Sequence, residues 1–262
     1  MDLGLNGKVA VVAAASKGLG KATAMQLAAE GASVMIVSRS EEALARTASE
    51  IREKTGLPAD YCVADLTSRE DIRGAVSRTV ERFGGLDVLI NNSGGPPAGT
   101  FDDFEDEDWR HAFELNLLSL IRLLRESLPL MRSRGGGRIV NIASSSIKQP
   151  LENLILSNTF RTAVVGLSKS LSLELAPEGI LLNTLGPGRI ATDRVAQMDG
   201  AHAESLGIPV EEVRRRSEAR IPLGRYGEPE EFARVVAFLA SPANTYLTGQ
   251  AFLVDGGMVR AL

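Results

Sequence analysis

Short apolar runs alternate with stretches of helical spacing along the whole chain. Val9–Ala13, Ser33–Val37 and Tyr61–Ala64 read as the first three strands. Asp87–Ile90, Arg138–Ile142, Ile180–Leu185 and Ala251–Val254 read as four more. These runs are rich in Val and Ile and lack polar alternation, as in strands buried on both faces. Between them, apolar residues recur at helical spacing: Ala22, Met25 and Ala29, then Leu44, Ala48 and Ile51, then Ile72, Val76, Val80 and Phe83. Ser40 is placed to cap the second of these helices, with Glu41 and Glu42 in its first turn. A long helix is expected through Trp109, Phe113, Leu117 and Leu120, another over Asn153–Ala176, and a last one over Glu228–Ala240. This β-α-β rhythm predicts an α/β fold, a doubly wound parallel sheet of about seven strands with helices on both faces.

No linker or internal repeat interrupts the rhythm, so the reading is one domain over residues 1–262. The one long excursion is 191–222, from Ala191 to Pro222, with Gly200, Gly207, Pro209 and weak helical signals at Val210–Ala219. It lies at the carboxyl edge of the sheet, where a mobile cover over a substrate is expected.

Composition narrows the function classes. The chain is 44% hydrophobic and 24% charged, enough to bury a sizeable core. Its net charge is −4, which argues against a nucleic-acid partner. The run Arg214–Arg216 alternates with Glu211, Glu212 and Glu218 and reads as a solvated helix face. No apolar stretch is long enough to span a bilayer. Met1–Lys8 lacks a signal pattern. The single Cys62 is expected to be a buried small hydrophobe and suits a reducing cytoplasm. With only His111 and His202 and no Cys/His cluster, no metal site is expected.

The turn after the first strand, Ala13-Ala-Ala-Ser-Lys-Gly-Leu-Gly20, would let the backbone approach a pyrophosphate at a helix N-terminus. Two glycines there are a weak signal alone. Ordered matches along the chain add to it: Asp65 after the third strand, Asn91-Asn-Ser-Gly94 after the fourth, Pro187-Gly188 with Thr192 after the sixth, and Val254-Asp-Gly-Gly257. On these the chain resembles the short-chain dehydrogenase/reductase family over essentially its full length. Its overall pattern, including Arg220-Ile-Pro-Leu-Gly-Arg225, is similar to 3-oxoacyl-carrier-protein reductases. The resemblance implies a single Rossmann-type domain. It implies a dinucleotide held by Ala14, Ser16, Lys17, Gly18, Leu19, Gly20, Ser38, Arg39, Asp65, Leu66, Asn91, Ser93, Gly94, Arg161, Pro187, Gly188, Ile190 and Thr192. It also implies a homo-oligomer, dimer or tetramer, paired through the helices of Trp109–Leu124 and Asn153–Ala176.

Ala13-Ala14 stands where the family has Thr-Gly. The Ala14 methyl is tolerable in so tight a turn only if φ stays negative. Charge selects the cofactor. An NAD site has an acid at the end of the second strand, whereas this chain has Ser38-Arg39 and no acid before Glu41. Arg39 can fork onto a 2′-phosphate and Lys17 can add a second cation, so NADP (NADPH) is expected over NAD.

The reacting centre departs from the family. Asn116 and Ser144 match its Asn and substrate-orienting Ser. The register of Arg161-Thr-Ala-Val-Val-Gly-Leu-Ser-Lys-Ser puts Ser157 and Arg161 where the family has its Tyr and Lys. Catalytic candidates are therefore Asn116, Ser144, Ser157 and Arg161. A phenol has a pKa near 10, which a neighbouring cation lowers toward the working range. An alkyl hydroxyl is a far weaker acid. Arg161 keeps the charge but does not shuttle protons. Lys148, Glu152 or a water held by Ser144, Ser157 and Asn116 are stand-in proton sources. Three readings stay open. One is a reductase of a small-molecule carbonyl, 3-oxoacyl-like or a related ketone, with a rebuilt proton path. The second is an NADP-binding protein with little turnover. The third is lyase or isomerase chemistry on the same site.

Overall fold

The structure is a computed structural model and describes residues 1–261. Seven parallel strands form one sheet in the order β3-β2-β1-β4-β5-β6-β7. They are β1 Val9–Ala13, β2 Ser33–Ser38, β3 Ala59–Val63, β4 Val88–Asn91, β5 Gly137–Ile142, β6 Ile180–Pro187 and β7 Ala251–Val254. Between and after them run α1 Gly18–Ala29, α2 Glu41–Thr55, α3 Arg69–Phe83, α4 Asp106–Phe113, α5 Ser119–Ser133, α6 Ile155–Leu175, α7 Asp193–Leu206, α8 Val210–Glu218 and α9 Pro229–Leu239. Strand order reverses between β1 and β4. That opens a crevice at their carboxyl ends, where ligands of such sheets bind.

β1 is apolar at every position because both of its faces are covered. Along β1, Ala10 and Val12 pack with α1, α2 and α9 residues such as Leu27, Ile51 and Phe232. Val11 and Ala13 pack on the other face with α3, α5 and α6 residues such as Ile72, Leu123 and Val164. β2 divides the same way, Val34 and Ile36 against Met35 and Val37. The two-sided burial expected from sequence holds for these strands and not for the sheet edges, where β3 and β7 are only partly covered.

Three elements differ from the sequence reading. The third strand starts two residues earlier than Tyr61, because Ala59 and Asp60 already pair with Val34 and Met35. Cys62 lies on that edge strand and is half-buried rather than buried; desolvation raises its thiol pKa, which keeps it a thiol. The long helix after β4 is broken: residues Glu114–Leu118 form a π-helical turn between α4 and α5, and Asn116 sits inside it. Finally, the excursion 191–222 contains two full helices, α7 and α8, of which only the second was signalled. Thr192 caps α7 by accepting from Val195 N (3.4 Å), and left-handed Gly207 ends it. The Ser40 cap on α2 is present, accepting from Ala43 N (3.4 Å). The Arg214–Arg216 face does pair with Glu212 and Glu218 in solvent. No helix among the described residues is long and apolar enough to cross a membrane.

A line of buried polar side chains crosses the middle of the sheet. Asn91 of β4 donates from Nδ2 to Asn141 Oδ1 on β5 (2.9 Å). Asn141 donates in turn to Ser168 Oγ on α6 (2.8 Å), which also bonds Thr184 Oγ1 of β6 (3.0 Å). All four are at most 2% exposed, so each depends on the others for its hydrogen bonds.

The two helices flanking the crevice on the first face are clamped by Glu50 of α2. It binds Lys21 Nζ of α1 (2.6 Å) and Lys54 Nζ (2.9 Å), and these cations hold its carboxyl down to about 2 from an ordinary 4.5. A carboxyl with a lowered folded pKa contributes stability above its unfolded pKa and loses it as pH falls through the folded value. The loss therefore lies between about pH 4.5 and 2. Glu50→Gln is expected to flatten the decline of the urea midpoint across that window. The effect at neutral pH should be no more than about 1 kcal/mol, given solvent screening. A variant with the same acid profile as the parent would show that the clamp contributes nothing.

Candidate active site

The carboxyl ends of β1 and β4 meet in the crevice. Ala14, the first residue past β1, has φ +48, the left-handed region. The expectation of a negative φ was therefore wrong. This is backbone that favours glycine, taken here with a methyl on it. Ala14 is held on two sides: its carbonyl accepts from Asn92 Nδ2 (3.4 Å), and its side chain packs at the edge of the second core cluster. The same carbonyl fixes the identity of Gly20, since a Cβ on Gly20 would collide with it and lie 2.8 Å from Ala15 Cα. The first turn of α1 can lie this close to β1 only with glycine there. Lys17 is the extended residue before α1, and Gly18 takes a left-handed φ of +56.

The turns after β1 and β2 are joined by Ser16 Oγ and Ser38 Oγ (3.1 Å), each one residue before a cation, Lys17 and Arg39. Arg39 is exposed, and its charge helps lower the Asp65 carboxyl after two bonds from Thr67 (each 2.8 Å) have done most of it. Lys17 Nζ lies 3.9 Å from Asp193 Oδ2 at the start of α7, so this cation faces the excursion as well as the crevice. Leu66 is packed into the core, and Leu19 is partly buried against it.

The far wall is built around Arg161. This residue of α6 is 5% exposed and donates to three backbone carbonyls: Ile142 at the end of β5 (3.2 Å), Ser93 (3.3 Å) and Gly94 (3.4 Å) after β4. No carboxylate pairs with it among the described residues. Burial alone lowers it to about 10, which leaves it a cation at neutral pH. Gly94 O also accepts from Asn116 Nδ2 (3.1 Å), and the π-helical turn aims Asn116 at that carbonyl. Asn91 Oδ1 and Asn116 Oδ1 are buried without partners. With Arg161, Ser93 and Ser119 they line a cavity of about 10 Å³, room for one water.

Ser144 follows β5 and accepts from Ser146 N (3.1 Å), which leaves its own proton free to donate. Ser157 is nine-tenths buried, one helical turn before Arg161 on the same face of α6. Lys148 and Glu152 are exposed. Of the three tyrosines, Tyr61 is on edge strand β3, Tyr246 is 96% exposed, and buried Tyr226 donates to Asp199 (2.8 Å).

The segment after β6 is pinned from below, since Gly188 N donates to Val254 O (2.9 Å) and a Cβ at Gly188 would lie 2.6 Å from Asp255 Cα. Ile190 pairs with Gly227, and Thr192 Cγ2 approaches Gly18. Sequence reasoning missed two residues here. Arg189 binds buried Asp199 (2.6 Å), and Arg194 donates to Pro96 O (3.1 Å) across the crevice. The only signal for either was its nearness to Pro187-Gly188.

Comparison with known proteins agrees with this geometry. The family model described as enoyl-(acyl carrier protein) reductase matches residues 13–259. A putative ketoacyl reductase of Streptomyces coelicolor is 38% identical over 96% of this chain and 97% of its own. The chain belongs to the short-chain dehydrogenase/reductase family. A 3-oxoacyl-[acyl-carrier-protein] reductase of Aquifex aeolicus is 35% identical over 98% of this chain and all of its own. Among solved structures, L-sorbose reductase of Gluconobacter frateurii, complexed with NADPH and L-sorbose, superposes with a TM-score of 0.95 at 34% identity, each chain covered fully. An actinorhodin polyketide ketoreductase with NADPH gives 0.92 at 38% identity, over 96% of this chain and 97% of that one.

The left-handed alanine generates a prediction. Ala14→Gly should relieve its backbone strain and raise unfolding stability by roughly 0.5–1 kcal/mol, measured by urea denaturation. A loss of stability would mean that the methyl's packing outweighs the strain.

Proposed function

We propose that this protein is an NADPH-dependent ketoreductase, acting on a 3-oxoacyl-like or related ketone, whose proton does not come from a phenol. The observation that carries the reading is Arg161: a buried cation with no carboxylate, at the wall formed by β4, β5 and α6. A cation held this way favours negative charge developing on a substrate oxygen. The names of the relatives and of the NADPH-bound neighbours support the cofactor and the reaction class. The residues fit the cofactor as well. Gly20 lets the first turn of α1 lie against the end of β1, which brings the helix N-terminus to the crevice, and Arg39 stands where an NAD site has an acid.

NADPH, when bound, would supply the hydride that reduces the carbonyl. In the reading proposed here, Ser144 donates its free proton as a hydrogen bond to the carbonyl oxygen and orients it. Arg161 stabilises the charge that builds there and would hold the ribose side of the cofactor. Asn116 holds Gly94 O and so fixes the loop that receives Arg161. The proton arrives through water, for which Ser144, Ser157 and the one-water cavity beside Arg161 and Asn116 are the polar surroundings. The α7–α8 pair covers the substrate, and Arg194 on Pro96 O is its latch. A homo-oligomer in the cytoplasm belongs to the same reading. Its supporting surface is the aromatic group of Trp109 and Phe113 on α4, Phe160 on α6 and Phe101 just before α4, the last 67% exposed.

Cofactor choice is tested by titration. Arg39→Glu should lower NADPH affinity by about tenfold or more and narrow its advantage over NADH, as expected for loss of one charge-assisted contact. Unchanged affinities would remove Arg39 from the site.

Proton supply is tested by turnover of NADPH with a panel of ketones. Ser144→Ala should cut kcat by about 100-fold or more, while Ser157→Ala changes it less than about tenfold. The double change Ser157→Tyr with Arg161→Lys should raise kcat. If the reverse order of serines were found, Ser157 would be the proton donor. NADPH binding without turnover on any ketone, in the parent and in the double variant, would favour the second reading, a cofactor-binding protein.

A further inference from the structure

We infer a second anion site on the opposite edge of the sheet, at the amino ends of β1, β4 and β5. A cleft of about 250 Å³ opens there, lined by Lys8, Asp87, Arg134, Arg138 and the Gly135-Gly136-Gly137 loop. Three cations face one carboxylate. Both oxygens of that carboxylate are already engaged. Asp87 Oδ2 accepts from Val9 N (2.9 Å), and Oδ1 takes Arg134 Nε (2.9 Å) and Lys8 Nζ (3.6 Å).

Arg138 therefore has no counter-ion. It donates from Nε to Asn244 O (3.1 Å) and from Nη1 to Gly137 O and Gly179 O (3.0 and 3.2 Å), which leaves Nη2 for a ligand. Burial alone lowers its guanidinium, so the charge sits partly desolvated and unneutralised. The terminal nitrogens of Arg134 are free in the same way, since only its Nε is bonded. The terminal nitrogens of Arg134 and Nη2 of Arg138 thus meet in one cleft whose single carboxylate is already taken.

The loop keeps the cleft open. Gly135 and Gly136 have φ of +77 and +142, and a Cβ on Gly136 would lie 2.7 Å from Gly179 O. A loop without side chains leaves the floor bare. An excess of two positive charges and this volume suit a small polyanion, a phosphoryl or pyrophosphoryl group. Guanidinium ends bind its oxygens in pairs. The site takes no part in the crevice chemistry, which lies at the other end of the strands.

Inorganic pyrophosphate is the probe, titrated at constant ionic strength into protein saturated with NADPH and read by calorimetry and by the thermal midpoint. We expect saturable binding. It should weaken about tenfold or more in Arg138→Gln and in Lys8→Gln, and stay unchanged in Arg39→Glu, which marks the cofactor crevice. Lys8 is 39% exposed and keeps the second variant folded whatever Arg138→Gln does. No saturable binding, or equal affinity in the parent and Lys8→Gln, would overturn the assignment. Weakening in Arg39→Glu alone would place the pyrophosphate in the crevice and overturn it equally.

Discussion

A buried cation without a carboxylate organises this molecule. Taking an ion out of water costs several kcal/mol even after relaxation, and a charge partner usually offsets it. Arg161 has carbonyls instead: Ile142, Ser93 and Gly94. Each comes from the carboxyl end of a central strand, so the ends of β4 and β5 must converge on α6 for the charge to be tolerated. An ammonium group could reach one or two of these oxygens from a point. The planar fork of arginine reaches three from one plane. The bonds are 3.2–3.4 Å, long for charge-assisted contacts, so the guanidinium retains capacity for a further acceptor.

The scaffold beneath Arg161 is polar as well, and it runs into the core. Gly94 O is shared by Arg161 and Asn116, so moving the π-helical turn would move the loop that receives the cation. Asn91 ends β4 and begins the chain of buried bonds through Asn141 to Ser168 and Thr184. Ser168 lies seven residues after Arg161, on the same face of α6. The helix is thus tied to the sheet by hydrogen bonds at two levels. Such bonds fix its rotation more sharply than apolar contact would, because a rotated helix would strand buried donors. Ser157, on the same face, inherits that orientation.

The doubly wound sheet was legible because parallel strands buried on both faces leave an unbroken apolar run, and β1, β2 and β4 show such runs. Ser40 was legible as a cap because its oxygen replaces a missing intrahelical acceptor. The edge strand β3 was misplaced by two residues, since half-covered positions such as Asp60 carry no apolar signal. The π-helical turn at Asn116 was invisible. Inserting one residue into a helix rotates the apolar stripe, and Leu115, Leu117 and Leu118 supply apolar residues in either register. α7 was missed because only Asp199 and Ala203 are buried along it, so its amphipathic pattern is faint. The family motifs all pointed to the carboxyl edge of the sheet, where the strand order reverses. They could not say that Ala14 would take a glycine's backbone angle, which depends on Asn92 and the second core cluster.

The α7–α8 pair shows how anchoring and freedom are divided. At its inner end Asp199 is 4% exposed and takes both Arg189 and Tyr226, while Arg214 of α8 lies 5.2 Å over the Tyr226 ring. Removing any partner would leave buried polar groups unpaired, so this end is held firmly. At the outer end Lys17 and Asp193 are 69% and 73% exposed and 3.9 Å apart, an ion pair that water and salt largely cancel. Arg194, an exposed side chain, gives a single bond to the Pro96 carbonyl. In the covering role proposed for this pair, the Asp199 end is the fixed one and Asp193 and Arg194 are the light fastenings, so opening would start from the cofactor side without disturbing the core. Lys17 would couple that opening to the crevice, because a phosphate drawing on the same cation would compete with Asp193 and leave Arg194 as the contact that decides closure.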